Sequence, residues 1–353
     1  MTERQTAGRE RALGAFYGLA LGDALGMPTQ IMSRASITAR FGRVAGFEPG
    51  PADNPVAAGL PAGSVTDDTE QAVLLGRLLA DGGGRIDPHL LADALLAWEA
   101  EMKARGSFDL LGPSTKAALS AVAAGVPIEE AAKSGTTNGA AMRVTPVGIA
   151  FSYRELGVAG FVDRVAESCQ VTHATGLGIA GASAVASAVS AGVSGAGVEG
   201  AFEAAVAAAR EGAGRGHWVA GADIAARIGW ARRLVDGVPE DRAVDLISEL
   251  IGTSVAGQES VPAAFAVLAL AGPDPWRCGL VAANLGGDCD TIGAMACAIA
   301  GAIAGLPAVP QAAVDTLDRA NPGLGLVPLT DRLLALRARD GRAVGVADAV
   351  GRD

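Results

Sequence analysis

The chain has 353 residues, a formal net charge of −10 and 50% hydrophobic residues, with only 4% aromatics against 49 glycines. That length admits one large domain or two ordinary ones. The acidic balance excludes a duplex nucleic-acid binder, which needs a basic face to neutralise phosphates, but leaves room for a phosphate-bearing ligand held by metal ions or helix N-termini.

Apolar residues at Leu13, Phe16, Tyr17 and Ala20 share one helical face and end at Gly22-Asp23. After Thr66-Asp67-Asp68, the run Val73-Leu74-Leu75 and Leu78-Leu79 predicts a helix that stops at Gly82-Gly83-Gly84. Ala- and Leu-rich segments near 88–104, 115–124, 159–168, 174–191, 199–211, 219–236, 240–251 and 261–271 suit helices too. Ile292, Met295, Ala296, Ile299 and Ile303 continue the pattern late in the chain. No alternating β pattern and no fixed repeat stands out. Loops at 42–63 and 106–114 are not long and polar enough to link domains. The expectation is one compact all-α domain over 10–340, with frayed ends at 1–9 and 341–353. The uncharged run 292–309 reaches the lower limit for a membrane span, but its Ala and Gly content and Pro307 favour a buried core helix. The four cysteines (Cys169, Cys278, Cys289, Cys297) form no CxxC pair, and Met1-Thr2-Glu3-Arg4-Gln5 is no apolar signal segment. A cytoplasmic protein with reduced thiols is expected.

Two acidic clusters carry the chemistry. Thr66-Asp67-Asp68-Thr69 and Gly286-Gly287-Asp288-Cys289-Asp290-Thr291 each set two carboxylates beside hydroxyls ahead of a helix. Taken singly, either string reads as a helix cap. Brought together, four carboxylates repel and raise one another's pKa unless cations lie between them. Hard oxygen ligands of this kind suit Mg²⁺ or Mn²⁺ rather than zinc.

The segments Gly18-Leu19-Ala20-Leu21-Gly22-Asp23-Ala24-Leu25-Gly26, Thr66-Asp67-Asp68-Thr69, Thr137-Asn138-Gly139-Ala140-Ala141-Met142-Arg143, Thr172-His173 and Asn284-Leu285-Gly286-Gly287-Asp288-Cys289-Asp290-Thr291-Ile292-Gly293 follow a set order. In that order the chain resembles the ADP-ribosylglycohydrolase family, from about residue 10 to 325. The resemblance implies a compact all-α fold around a cleft holding two Mg²⁺ (or Mn²⁺) ions. Thr66, Asp67 and Asp68 would bind one ion; Asp290 would bridge both; Asp288 and Thr291 would complete the second site. Asn138, Gly139, Met142 and Arg143 would line the pocket near the ligand's phosphates or ribose, His173 would sit over the ligand, and Gly22-Asp23 would support the metal ligands. The substrate so implied is an ADP-ribosyl conjugate, protein-linked or small, cleaved at the anomeric carbon by a metal-activated water whose proton passes to Asp67, Asp68 or Asp290. Gln30 stands where many members carry a metal-contacting Glu, and an amide accepts no proton at neutral pH. That departure favours a smaller N-glycoside such as a nucleoside, or a silent binding member, as alternatives. The oligomeric state is left open.

Other motifs have plainer readings. Gly176-Leu177-Gly178-Ile179-Ala180-Gly181 spells a dinucleotide turn, but no apolar strand precedes it, and Gly178, Ala182 and Ala186 suit tight helix packing. Cys169 and His173 have the spacing of a helical metal pair without a second pair nearby. Asp288-Cys289-Asp290-Thr291 mimics an aspartyl-phosphate motif but follows a helix rather than a strand. Glu259-Ser260-Val261-Pro262 reads as a helix start with Pro262 in the first turn, or as support for the metal site.

Overall fold

The computed structural model describes residues 3–107 and 111–350, with backbone alone for Arg4 and 340–350. Helices fill it, and among the described residues the extended pairing amounts to two isolated bridges, Thr137 with Ala256 and Thr175 with His217. The architecture is a single all-α domain. The expected helices are present, among them Asp67–Asp81, Pro88–Ala104, Gly176–Val193 and Cys289–Ala304.

A glycine seam between the first helix, Glu3–Gly26, and Cys289–Ala304 organises everything else. Gly14, Gly18, Gly22 and Gly26 recur every four residues and so share one helix face. A Cβ on Gly18 would lie 2.1 Å from the Cys297 carbonyl oxygen, one on Gly22 2.0 Å from that of Gly293, and one on Gly26 2.3 Å from the Asp290 Cα. The two backbones therefore touch, closer than helices with ordinary side chains between them. The contacts run antiparallel, so Asp23 near the end of one helix lies level with Asp290 at the start of the other. This register brings opposite ends of the chain into one site.

Gly176–Val193 passes through the centre and is buried almost throughout, including Ser183, Ser187 and Ser190. It is the described helix long and apolar enough to cross a membrane, and 94% of it is buried inside the domain. The dinucleotide-like glycines lie in its first two turns, capped by Thr175 accepting from the Gly178 amide, with no strand before it among the described residues. The segment expected at 261–271 begins earlier, at Gly257. Pro262 thus lies inside the helix rather than in its first turn, where it removes one backbone donor.

Among the described helices, Arg34–Phe41, Ile128–Ala131, Gly139–Met142, Thr145–Ala150 and Pro275–Ala283 were not expected from the sequence, nor were the two that follow. Gln311–Ala320 and Leu326–Val350 complete the chain. The first helix starts at Glu3, inside the segment expected to fray, and the last runs on through 341–350. Residues 351–353 of the expected tail, like 1–2, lie outside the described residues.

Candidate active site

The two acidic helix mouths meet. Thr291 Oγ1 donates to Asp68 Oδ2 at 3.2 Å, joining the N-terminal turns of Asp67–Asp81 and Cys289–Ala304. Neither mouth does ordinary capping. Thr66 and Asp288 occupy the N-cap positions, yet neither side chain accepts a capping bond from the backbone of its own helix. Asp23 caps the first mouth from the neighbouring helix instead, accepting from the Thr66 and Thr69 amides (3.0 and 3.1 Å) and from both hydroxyls (2.8 and 2.5 Å). At the second mouth, Asp288 accepts from Asn138 Nδ2, whose amide also donates to Ser260 Oγ at 3.0 Å. Ser260 therefore reaches this mouth through Asn138.

Positive φ at Gly286 and Gly287 (76° and 69°) turns the chain into this mouth. The Gly287 carbonyl accepts from the Ile31 amide at 2.7 Å, and the Gly287 amide donates to the Met32 carbonyl at 2.9 Å. Ile31 is held in a left-handed conformation (φ 63°), rare for a β-branched residue, with its side chain 60% exposed.

A cavity of about 260 Å³ opens between the mouths. Gln30, Asp67, Asn138, Gly139, Met142, Asp288, Asp290 and Thr291 line it, together with Ile31, Val56, Leu111, Pro113, Thr115, Thr137 and Val255. Thr66 and Asp68 lie buried just behind. Two expectations require correction. Arg143 and His173 are both completely buried and do not line the cavity. Arg143 follows the one-turn helix Gly139–Met142, so it is rotated away from the face that Gly139 and Met142 present, and it bonds to Thr172 and Gln71. His173 packs behind Gly139, where an added Cβ would come 3.0 Å from its Cε1, and its two ring nitrogens face Thr172 and Thr137. It takes no part in a metal pair with Cys169, itself buried and free.

Electrostatics follow from this crowding. Burial, then the charges of Asp67, Asp290, Asp23 and Asp288, push the Asp68 carboxyl well above its ordinary range. Burial pushes Asp23 and Asp288 up to about 6, against the opposing pull of hydrogen bonds from Thr69 and Thr66 on the former and from Asn138 and Thr291 on the latter. Asp68 Oδ1 is buried without a hydrogen-bond partner among the described residues. No three His, Cys, Asp or Glu side chains among the described residues close into a ready-made cage for an ion. The donor set is nonetheless all oxygen, combining crowded carboxylates, hydroxyls whose protons already point at Asp23 and Asp68, and that buried oxygen. These residues fit a hard divalent cation.

Fold and site together define an all-α protein built around a carboxylate-lined cleft between two helix N-termini. Comparison with known proteins narrows the class. Residues 4–343 match the ADP-ribosylglycohydrolase family, and the chain belongs to it. It is accordingly a hydrolase of glycosyl bonds. It is 39% identical over 315 residues to the uncharacterized protein YegU of Escherichia coli (strain K12), covering 88% of this chain and 93% of that one. It is 31% identical over 145 residues to the ADP-ribosyl-[dinitrogen reductase] glycohydrolase of Rhodospirillum rubrum, covering 40% of this chain and 45% of that protein. A solved ADP-ribosylglycohydrolase-related protein complex superimposes with a TM-score of 0.68 at 26% identity, over 94% of this chain and 99% of the other.

Proposed function

We propose that the cleft hydrolyses the anomeric bond of an ADP-ribosyl conjugate with the help of divalent cations, Mg²⁺ or Mn²⁺, two of them in the full site. The observation that carries the reading is the Thr291–Asp68 bond joining the two acidic mouths at the cavity wall. Thr66, Asp67 and Asp68 would hold one ion and Asp288 and Thr291 the other, with Asp290 between them. When bound, such cations neutralise the carboxylates, hold the vicinal hydroxyls of a ribose and lower the pKa of water.

The chain's own residues supply the rest. Asp67 and Asp290 border the cavity and Asp68 lies directly behind, so these carboxylates are placed to receive a proton from an attacking water. Gln30 lines the cavity with its buried Nε2 lacking a partner among the described residues, so its amide N–H is available to a substrate oxygen. Ile31, Val56, Leu111 and Val255 give the cavity an apolar side.

A smaller N-glycoside is the second reading, and the size of the cavity favours it. At about 260 Å³ it falls short of the ~300–1,000 Å³ usual for drug-sized ligands. No Arg or Lys among the described residues lines it to meet a diphosphate. The four buried, free cysteines support a reducing, cytoplasmic setting.

The test is release of sugar from ADP-ribosyl-arginine, ADP-ribosyl-serine peptides and nucleosides, each with Mg²⁺ and with chelator. Metal-dependent release from the ADP-ribosyl substrates supports the first reading; release from nucleosides alone transfers the assignment to the second. If neither is cleaved by the wild type or by Gln30→Glu, while ADP-ribose still binds, the chain is a binding member without turnover.

A further inference from the structure

We infer that Arg143 is a positioning residue that fixes the direction of a hydrogen-bonded circuit reaching the cleft wall at both Thr137 and Asp67. Arg143 is among the largest fully buried side chains, and among the described residues it forms no ion pair. Its guanidinium can only donate. Burial lowers its pKa to about 10, so it stays charged at neutral pH.

One arm of the circuit starts at Arg143 Nη2, which donates to Thr172 Oγ1 at 2.5 Å. Thr172 must accept there, and His173 Nδ1, 2.8 Å away, is the acceptor that the described residues offer its single hydroxyl proton. With Nδ1 an acceptor, the ring hydrogen of neutral His173 sits on Nε2 and is donated to Thr137 Oγ1 at 2.9 Å. Thr137 therefore accepts from behind and turns its own proton to the cavity it lines. A protonated His173 is disfavoured, because burial first and Arg143 second hold its imidazole well below its ordinary range.

The other arm starts at Arg143 Nη1, 3.5 Å from Gln71 Oε1. An amide oxygen facing the cation leaves Gln71 Nε2 to donate to Asp67 Oδ2 at 3.0 Å, and Asp67 lines the same cavity. Flipping the amide would set an NH₂ against a guanidinium and an oxygen against a carboxylate. One buried donor thus dictates that Thr137 offers the ligand a hydrogen and that Asp67 is held by a donor from behind.

The inference assumes the cavity is the substrate site, as proposed above, but its first readout does not. Long-range ¹⁵N correlation spectra of the full chain, with His173 assigned by comparison with His173→Gln, report the ring tautomer directly. The wild type should show neutral Nε2–H at pH 7.5. Arg143→Gln, or Thr172→Val if the first variant does not fold, should admit the Nδ1–H form, and Thr172→Ser should restore the wild-type spectrum. An Nδ1–H or protonated ring in the wild type, or a tautomer unmoved in both variants, overturns the circuit. Kinetically, Thr137→Val should raise KM about tenfold, the effect of one lost hydrogen bond, and Thr137→Ser should recover it. An unchanged KM would mean that the Thr137 proton does not meet the substrate.

Discussion

Replacing Asp68 with Asn should stabilise the metal-free protein while abolishing its response to Mg²⁺. Asp68 is fully buried, accepts among the described residues from Thr291 alone through Oδ2, and sits among the charges of Asp67, Asp290, Asp23 and Asp288. Its pKa is raised in the fold, as are those of Asp23 and Asp288, the latter two to about 6 from 3.8. A carboxyl with a raised folded pKa contributes stability that is complete below its unfolded pKa and is lost as pH climbs through the folded value. The metal-free wild type should therefore weaken between about pH 4 and 6 and beyond. Each tenfold gain in a carboxyl's proton affinity on folding amounts to about 1.4 kcal/mol. Asn keeps the shape and removes the charge. Substituting a neutral group for a buried charge typically stabilises by on the order of 1–4 kcal/mol, or roughly 1–5 °C in a domain this large. Thermal melts in chelator at pH 5 and pH 8 should show a gap between variant and wild type that widens with pH. Added Mg²⁺ should lift the wild type at pH 8 and leave Asp68→Asn unmoved. If Asp68→Asn lowers the melting temperature equally at both pH values, the carboxylates do not repel and the electrostatic reasoning is wrong.

Three further outcomes follow from other contacts. Gly22→Val should cost at least about 3 kcal/mol or prevent folding, because its Cβ position lies 2.0 Å from the Gly293 carbonyl, whereas Gly8→Ala, with nothing within 4 Å, should gain up to about 1 kcal/mol in melts. Ile31→Gly should raise stability by about 1 kcal/mol through relief of the left-handed backbone and raise KM through loss of the cavity wall, so a stabilised variant with unchanged KM would exclude Ile31 from substrate contact. Asn138→Ala removes the bonds to Asp288 and Ser260 and should weaken Mg²⁺ affinity about 10–100-fold by calorimetry, with little change in fold by circular dichroism.

The helices were legible because apolar periodicity survives in an Ala-rich chain, and the long, strongly patterned segments such as Asp67–Asp81 fell where the pattern placed them. The glycine seam was written in the sequence as Gly14, Gly18, Gly22 and Gly26, but a four-residue spacing names no partner, and Gly293 and Gly301 became its counterpart only in three dimensions. Short pieces such as Gly139–Met142 hold too few residues for a period to show. Arg143 and His173 were placed at the cleft by the resemblance alone, whereas a single helical turn sends Arg143 to the buried side and His173 packs behind Gly139. Gln71 and Thr172 illustrate a different limit, since their roles rest on hydrogen bonds to Arg143, seventy-two and twenty-nine positions away, and on the donor order that buried cation fixes.

The central claim is that the joined acidic mouths bind divalent cations. Calorimetric titration of chelator-stripped protein with Mg²⁺ at pH 7.5 addresses it without reference to any substrate. Saturable binding in the wild type, lost in both Asp68→Asn and Asp290→Ala while those variants remain folded, is the predicted result. Absence of binding in the wild type by either Mg²⁺ or Mn²⁺, or binding that survives both substitutions, would contradict it.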